Sequence, residues 1–172
     1  MRYVIIDTGL KGACVVFEDV NGVPTPIDYY LFEESTWEDG IDPIQFAKNL
    51  KEWGAREFHI EKPPTMPNQA ITTTWKQAYV VGQIYSTIML EVPRATIHDF
   101  YPVKWVSHAR RHLEPSELNL DNKKAMQKLA PRQYPNFMAQ FKKRLRYHDG
   151  IADCVGMVFY VRREYFSQFI ED

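Results

Sequence analysis

Four carboxylates occupy places where a carboxylate needs a reason. Asp7 closes the run Tyr3-Val4-Ile5-Ile6, and Glu61 closes Phe58-His59-Ile60; both are short β-branched and aromatic stretches of the kind that form buried strands. A charged group delivered at the end of such a strand loses hydration and has to be compensated. Asp149 and Asp153 stand four apart in His148-Asp149-Gly150-Ile151-Ala152-Asp153, a spacing that shares one helical face and sets like charges against each other. A cation lying against both relieves the repulsion. Oxygen ligands of this kind suit hard divalent ions, Mg²⁺ with Mn²⁺ as a substitute. Two such ions about 4 Å apart can activate a water on one side of a phosphodiester and stabilise the leaving oxygen on the other. The expectation is a two-ion site held by Asp7, Glu61, Asp149 and Asp153.

Those residues have to be positioned by elements far apart in the chain. Asp7 is followed by Thr8-Gly9-Leu10-Lys11-Gly12, a tight turn, and by Ala13 to Phe17, which reads as a second strand. Asn21-Gly22 is a hairpin dipeptide leading to a third strand around Ile27 to Phe32. Asp42 and Pro43 form a cap and first turn for a helix through Phe46, Leu50 and Trp53. The strand ending at Glu61 comes next, so the sheet turns from antiparallel to parallel there. In such folds strand ends gather at one edge of the sheet, where ligands bind.

Pro63, Pro64 and Pro67 predict a stiff loop over residues 62–68. Apolar residues at spacings of three and four predict a long helix from Gln69 to about Met89, with Trp75, Tyr79 and Tyr85 packed on the sheet and Ala78, Gly82 and Ser86 letting its backbone approach closely. Ala95-Thr96-Ile97 is the last strand. Shorter basic helices are expected over Val103 to Arg111, Asn122 to Leu129 and, weakly, Asn136 to Arg146. A terminal helix runs from Asp149.

With 172 residues and 45% apolar content, the chain can bury one substantial core but not two, so residues 1–172 are expected to form one domain. Cys14 and Cys154 lie in apolar runs with no zinc or redox spacing around them. No leader pattern and no apolar run near the ~20 residues of a membrane span is present, so a cytoplasmic protein with no membrane partner is expected, in a bacterium or a phage-infected cell.

The net charge is −1, but residues 1–61 carry 12 acidic and 5 basic side chains and residues 104–146 carry 3 and 11. Acidic metal chemistry beside a cationic groove would suit a polyanion. Lys104, Arg110, Arg111, Lys123, Lys124, Lys128, Lys142, Lys143, Arg144 and Arg146 supply candidate phosphate contacts.

The order of these motifs resembles RuvC-type Holliday-junction resolvases, including their phage relatives. Tyr3 to Gly9 is similar to the family's first strand and metal-binding aspartate, with Gly12 near the second glycine of the turn. Phe58 to Glu61 is similar to the strand with the second acid, Val81-Gly82-Gln83 to a glycine-containing patch of the following helix, and Ala152-Asp153 to an Ala-Asp signature in the last helix. The bacterial enzymes carry their other helical acid, or a histidine, three residues before that aspartate. Here the position is Gly150, which leaves Asp149 as the fourth ligand and His148 as a group that orients water or touches phosphate.

The resemblance implies a ribonuclease H-like α/β fold, a mixed sheet of three antiparallel strands followed by two parallel strands, flanked by helices. It implies a homodimer that nicks four-way DNA junctions symmetrically, leaving 5′-phosphate and 3′-hydroxyl ends. It also implies a basic residue near the scissile phosphate, Lys124 or its neighbour Lys123, and a wedge at the crossover, for which Met66 is the candidate. The alternatives are a related nuclease of forks, flaps or other branched nucleic acid, or a junction-binding protein without catalysis. Actin-like ATPases share the opening strand, but residues 104–146 hold no glycine-rich phosphate loop.

Overall fold

The computed structural model describes residues 1–32, 41–63, 69–142 and 146–166. Its strands are β1 (Arg2–Asp7), β2 (Ala13–Val20), β3 (Val23–Leu31), β4 (Glu57–Glu61) and β5 (Thr96–Phe100), assembled as one sheet in the order β3-β2-β1-β4-β5. The first three are antiparallel neighbours; β1 with β4 and β4 with β5 run parallel. This is the ribonuclease H-like mixed sheet expected from the sequence. The β2–β3 turn places Asn21 at φ 55° and Gly22 at φ 78°, the two left-handed residues a two-residue hairpin needs to match strand twist. Pro24 and Pro26 are tolerated because β3 lies at the sheet edge.

Each face of the sheet carries its own core, and the period of two along β1 assigns the side chains. Val4 and Ile6 join Phe58, Ile60 and the buried faces of α1 (Pro43–Trp53) and α2 (Ile71–Glu91). Tyr3 and Ile5 lie on the opposite face with Ala13, Val15 and Phe17, beneath α3 (Pro102–Ala109), α4 (Asn122–Gln133) and α6 (Asp149–Phe166). The α1 termini follow local rules: the Asp42 carboxylate accepts from Ile44 N–H and Gln45 N–H, and Gly54 closes the helix at φ 61°. Among the described residues between α4 and α6, Pro135–Ala139 is helical (α5), shorter than the expected 136–146, of which residues 143–145 lie outside the described part. No helix among the described residues is long and apolar enough to cross a membrane. Cys14 and Cys154 are free and buried.

One packing expectation is overturned. The α2 face with Ala78, Gly82 and Ser86 points away from the sheet, and a Cβ built on Gly82 meets nothing within 4 Å. Val80, Ile84, Thr87 and Ile88 bury instead. Trp75 and Tyr79 remain 65% and 40% exposed, stacked on each other at 5.5 Å. Tyr85 alone of the three aromatics packs toward the core, and its hydroxyl donates to Asp99. The helix is apolar on two faces, so a 3.6-residue period by itself does not say which one meets the sheet.

Candidate active site

The parallel β1–β4 pairing sets Ile6 beside Ile60, so the next residues, Asp7 and Glu61, emerge together at one end of the sheet. Their carboxyls stand close enough to perturb one another's proton affinity. The Thr8 hydroxyl donates to the Glu61 carbonyl at 2.7 Å and ties the two strand ends. Asp7 Oδ1 accepts from Gly9 N–H at 2.9 Å, and the Trp105 indole N–H of α3 donates to Glu61 Oε1 at 2.7 Å. Trp105 is 4% exposed, so the bond is made within the core rather than in water.

The N-terminal part of α6 lies across this end. Cys154 donates its thiol to the carbonyls of Ile5 and Ala13, at 3.5 and 3.3 Å, and the helix backbone rests directly on the β1–β2 turn. A Cβ on Gly150 would stand 2.9–3.0 Å from backbone atoms of Gly12 and Ala13, and one on Gly12 would lie 2.0 Å from the Asp7 carbonyl. The bare Gly150 therefore lets α6 rest on the turn, while Gly12 lets the turn itself close tightly on Asp7. That seating brings Asp153 into the field of Asp7, Glu61 and Asp149. It also accounts physically for the missing acid three residues before Asp153, because the position faces backbone and has no room for a side chain.

Asp149 is drawn toward α4. Its Oδ2 is paired with Lys123 Nζ at 2.5 Å, and its Oδ1 accepts from Gln127 Nε2 at 2.9 Å and lies 3.5 Å from the Arg146 guanidinium. Gln127 also bonds the backbone of Tyr147 in both directions, clamping the entry to α6. Lys123 and Gln127 share one face of α4 by their spacing of four. That spacing is the signal that could have singled out Gln127, which reading the sequence missed along with the Trp105–Glu61 bond. His148 caps the helix, its Nδ1 accepting from Ile151 N–H at 3.4 Å.

Lys123, not Lys124, faces the carboxylates: it lowers the proton affinity of Asp7 and Asp153. Lys124 pairs with Asp121 at the N-terminus of α4, 3.1 Å away. Lys124, Lys128, Lys142 and Arg146 line a surface groove of about 650 Å³ next to Gln127. Lys104 and Arg111 are exposed on and after α3. Arg110 is engaged within the protein, donating to the carbonyls of Leu118 and Leu120 and to Asn122 Oδ1. Met66, Lys143 and Arg144 lie outside the described residues.

Electrostatically the site carries more acid than it neutralises. Burial, followed by the neighbouring Asp7, pushes Glu61 up to about 8. Burial, and then Asp7, Glu61 and Asp149, hold Asp153 well above the carboxylate range, and burial raises Asp7 as well. Among the described residues the one set of three or more ligand atoms lying within 4.8 Å of one another is a different one, Glu57, His59 and His98, at the far end of β4 and the middle of β5; such a set could coordinate a divalent metal.

With this geometry in hand, solved structures provide a comparison. RuvC of T. thermophilus in complex with a Holliday junction substrate superposes with a TM-score of 0.62 at 11% identity, over 98% of this chain and 96% of that one. The fold is that of RuvC. A second T. thermophilus RuvC structure gives 0.61 at 14%, covering 95% and 96%, and the yeast mitochondrial Holliday junction resolvase Ydc2 gives 0.59 at 13%, covering 97% and 82%. No protein-family model and no curated protein sequence matches the chain.

Proposed function

We propose that the chain is a divalent-metal-dependent endodeoxyribonuclease that resolves four-way DNA junctions, with Asp7, Glu61 and Asp153 as its metal-binding acids and Asp149 as the fourth. The observation that carries this reading is the pairing of Asp7 with Glu61 beneath the helix that bears Asp153, in a fold shared with junction resolvases. The donor set fits Mg²⁺ or Mn²⁺: every candidate ligand is a carboxylate oxygen, and burial together with mutual repulsion raises their proton affinities, a cost that a bound cation would offset. Bound there, two ions would supply a water activated for attack and charge stabilisation of the leaving 3′ oxygen, giving 5′-phosphate and 3′-hydroxyl ends.

The protein's own groups have distinct parts in this scheme. Trp105 holds the Glu61 carboxylate in one orientation. Gln127 and Lys123 restrain Asp149, and Lys123 is the basic side chain placed beside the carboxylates, where it would contact a scissile phosphate. The groove of Lys124, Lys128, Lys142 and Arg146 binds backbone phosphates on one side, and Lys104 and Arg111 do so on the other. Symmetric cutting needs two sites, and a homodimer is supported by the apolar stripe of α2, where Ile71, Trp75, Tyr79 and Leu90 are exposed along one face.

The test compares cleavage of a mobile four-way junction, a fork, an RNA–DNA hybrid and a linear duplex in Mg²⁺. Paired nicks confined to the junction are expected, with Asp7→Asn and Asp153→Asn abolishing cleavage while retaining junction binding. Equal cutting of every substrate removes the junction assignment, and junction binding without any cleavage by the wild type leaves a binding module.

A further inference from the structure

The Glu57, His59 and His98 set lies on the α6 face of the sheet, with His59 and His98 in register on β4 and β5. Glu57 is four strand residues from Glu61, roughly 13 Å at about 3.3 Å per residue, so its carboxylate belongs to a separate place. His59 is 0% exposed, and among the described residues neither ring nitrogen has a hydrogen-bond partner; the Glu57 carboxylate is 3.8 Å from Nε2, beyond hydrogen-bonding reach. A buried imidazole with both nitrogens unpartnered is rare in folded proteins, because the lost hydration goes unreplaced. Tyr3, Tyr165 and Phe166 surround the ring with aromatic carbon, and none of them satisfies it.

We propose that Glu57, His59 and His98 form a second metal site, selective for a borderline transition ion of the Zn²⁺ class, which ties β4 to β5. Bonds of about 2 Å to nitrogen and oxygen bridge ligand atoms up to ~4 Å apart, close to the 4.8 Å within which these three already lie. The two imidazoles are stacked at 4.9 Å and 14°, so one ring must turn to aim its lone pair at a shared ion. His98, partly exposed on the edge strand and packed against Tyr165, is the less buried of the two rings and the one to turn. Burial lowers the proton affinity of His59 and keeps it in the neutral form that ligates. Two nitrogens and one carboxylate suit Zn²⁺ with a water in the fourth position, whereas the all-oxygen set at the other end of β4 suits Mg²⁺.

The experiment uses the full chain carrying Asp7→Asn and Asp153→Asn, stripped of metal, so that the other carboxylates contribute little. Zn²⁺ is titrated calorimetrically, Co²⁺ is followed by its visible ligand-field bands, and thermal unfolding is recorded with and without Zn²⁺. One equivalent of Zn²⁺, Co²⁺ bands of a low-coordinate nitrogen-ligated ion and a raised Tm are expected. His98→Ala and Glu57→Gln, both at partly exposed positions, should each weaken binding by more than the ~10–100-fold typical of losing an outer-shell partner, while circular dichroism reports an intact fold. No bound equivalent in the parent, or unchanged affinity in His98→Ala, overturns the proposal. Either result leaves the junction-cleavage reading where it stood, since that is read in Mg²⁺ on DNA.

Discussion

At the scale of single residues, the Trp105–Glu61 bond has a measurable consequence. A hydrogen bond to a charged group contributes about 1.5–3 kcal/mol, so Trp105→Phe, which keeps most of the packing, should lower kcat/KM for junction cleavage roughly 10–100-fold with junction affinity unchanged. Unaltered cleavage at limiting Mg²⁺ would deny Trp105 this positioning part. Glu61 also sets a pH dependence. Its folded proton affinity corresponds to about 8 against an ordinary 4.5, so between those values the folded protein holds a proton that the unfolded chain releases. That contribution is fully present below pH 4.5 and is lost as pH rises through 8. The metal-free protein should therefore melt at lower temperature at pH 8 than at pH 5, and Mg²⁺ or Mn²⁺ should narrow the gap, because both ions bind the deprotonated carboxylates. Asp7, Glu61 and Asp153 could be picked out from their places at strand ends and on a helix face. Lys123 could not be separated from Lys124, since adjacent helical residues differ by about 100° of rotation and only the docked helix fixes which one turns inward.

At the scale of elements, the seating of α6 on the β1–β2 turn depends on the missing side chain of Gly150. Gly150→Ala should improve intrinsic helix propensity by about 1 kcal/mol, yet its Cβ meets backbone that cannot rotate aside. Overpacking of this sort costs about 1–3 kcal/mol, and a net fall in denaturant midpoint is expected; a rise would mean that α6 shifts without strain. The hairpin turn and the Asp42 cap of α1 were legible because each follows from neighbouring residues, whereas the pairing of β1 with β4, more than fifty positions apart, was expected from the family resemblance. The orientation of α2 was not, since Trp75 and Tyr79 satisfy a core pattern equally well when they face outward. If that face holds a second copy, Trp75→Glu should convert a dimer to a monomer in light scattering while leaving the circular dichroism unchanged.

At the scale of the molecule, the acidic front and basic back of the sequence fold into adjoining regions, the carboxylates at one sheet end and the groove of Lys124, Lys128, Lys142 and Arg146 next to them. Counterion release makes duplex affinity fall with salt by about 0.9 logarithmic units per phosphate contact. Lys124→Gln with Lys128→Gln should reduce the slope of log K against log salt by about 2, and an unchanged slope would place the DNA elsewhere. The charge asymmetry was visible in the sequence. Its partial use inside the protein, as with Arg110 gripping the 118–122 segment, was not, because composition does not distinguish a side chain that reaches solvent from one that curls back on a carbonyl. The thiol of Cys154 meets the carbonyl of Ile5 across 149 positions of chain, and this separation orders events during synthesis. A ribosome makes the central strand early and the helix with Asp153 long afterwards. A polypeptide arrested before residue 149 would have all five strands but neither Asp149 nor Asp153, so under the proposed function an unfinished copy would spare the nucleic acid around it.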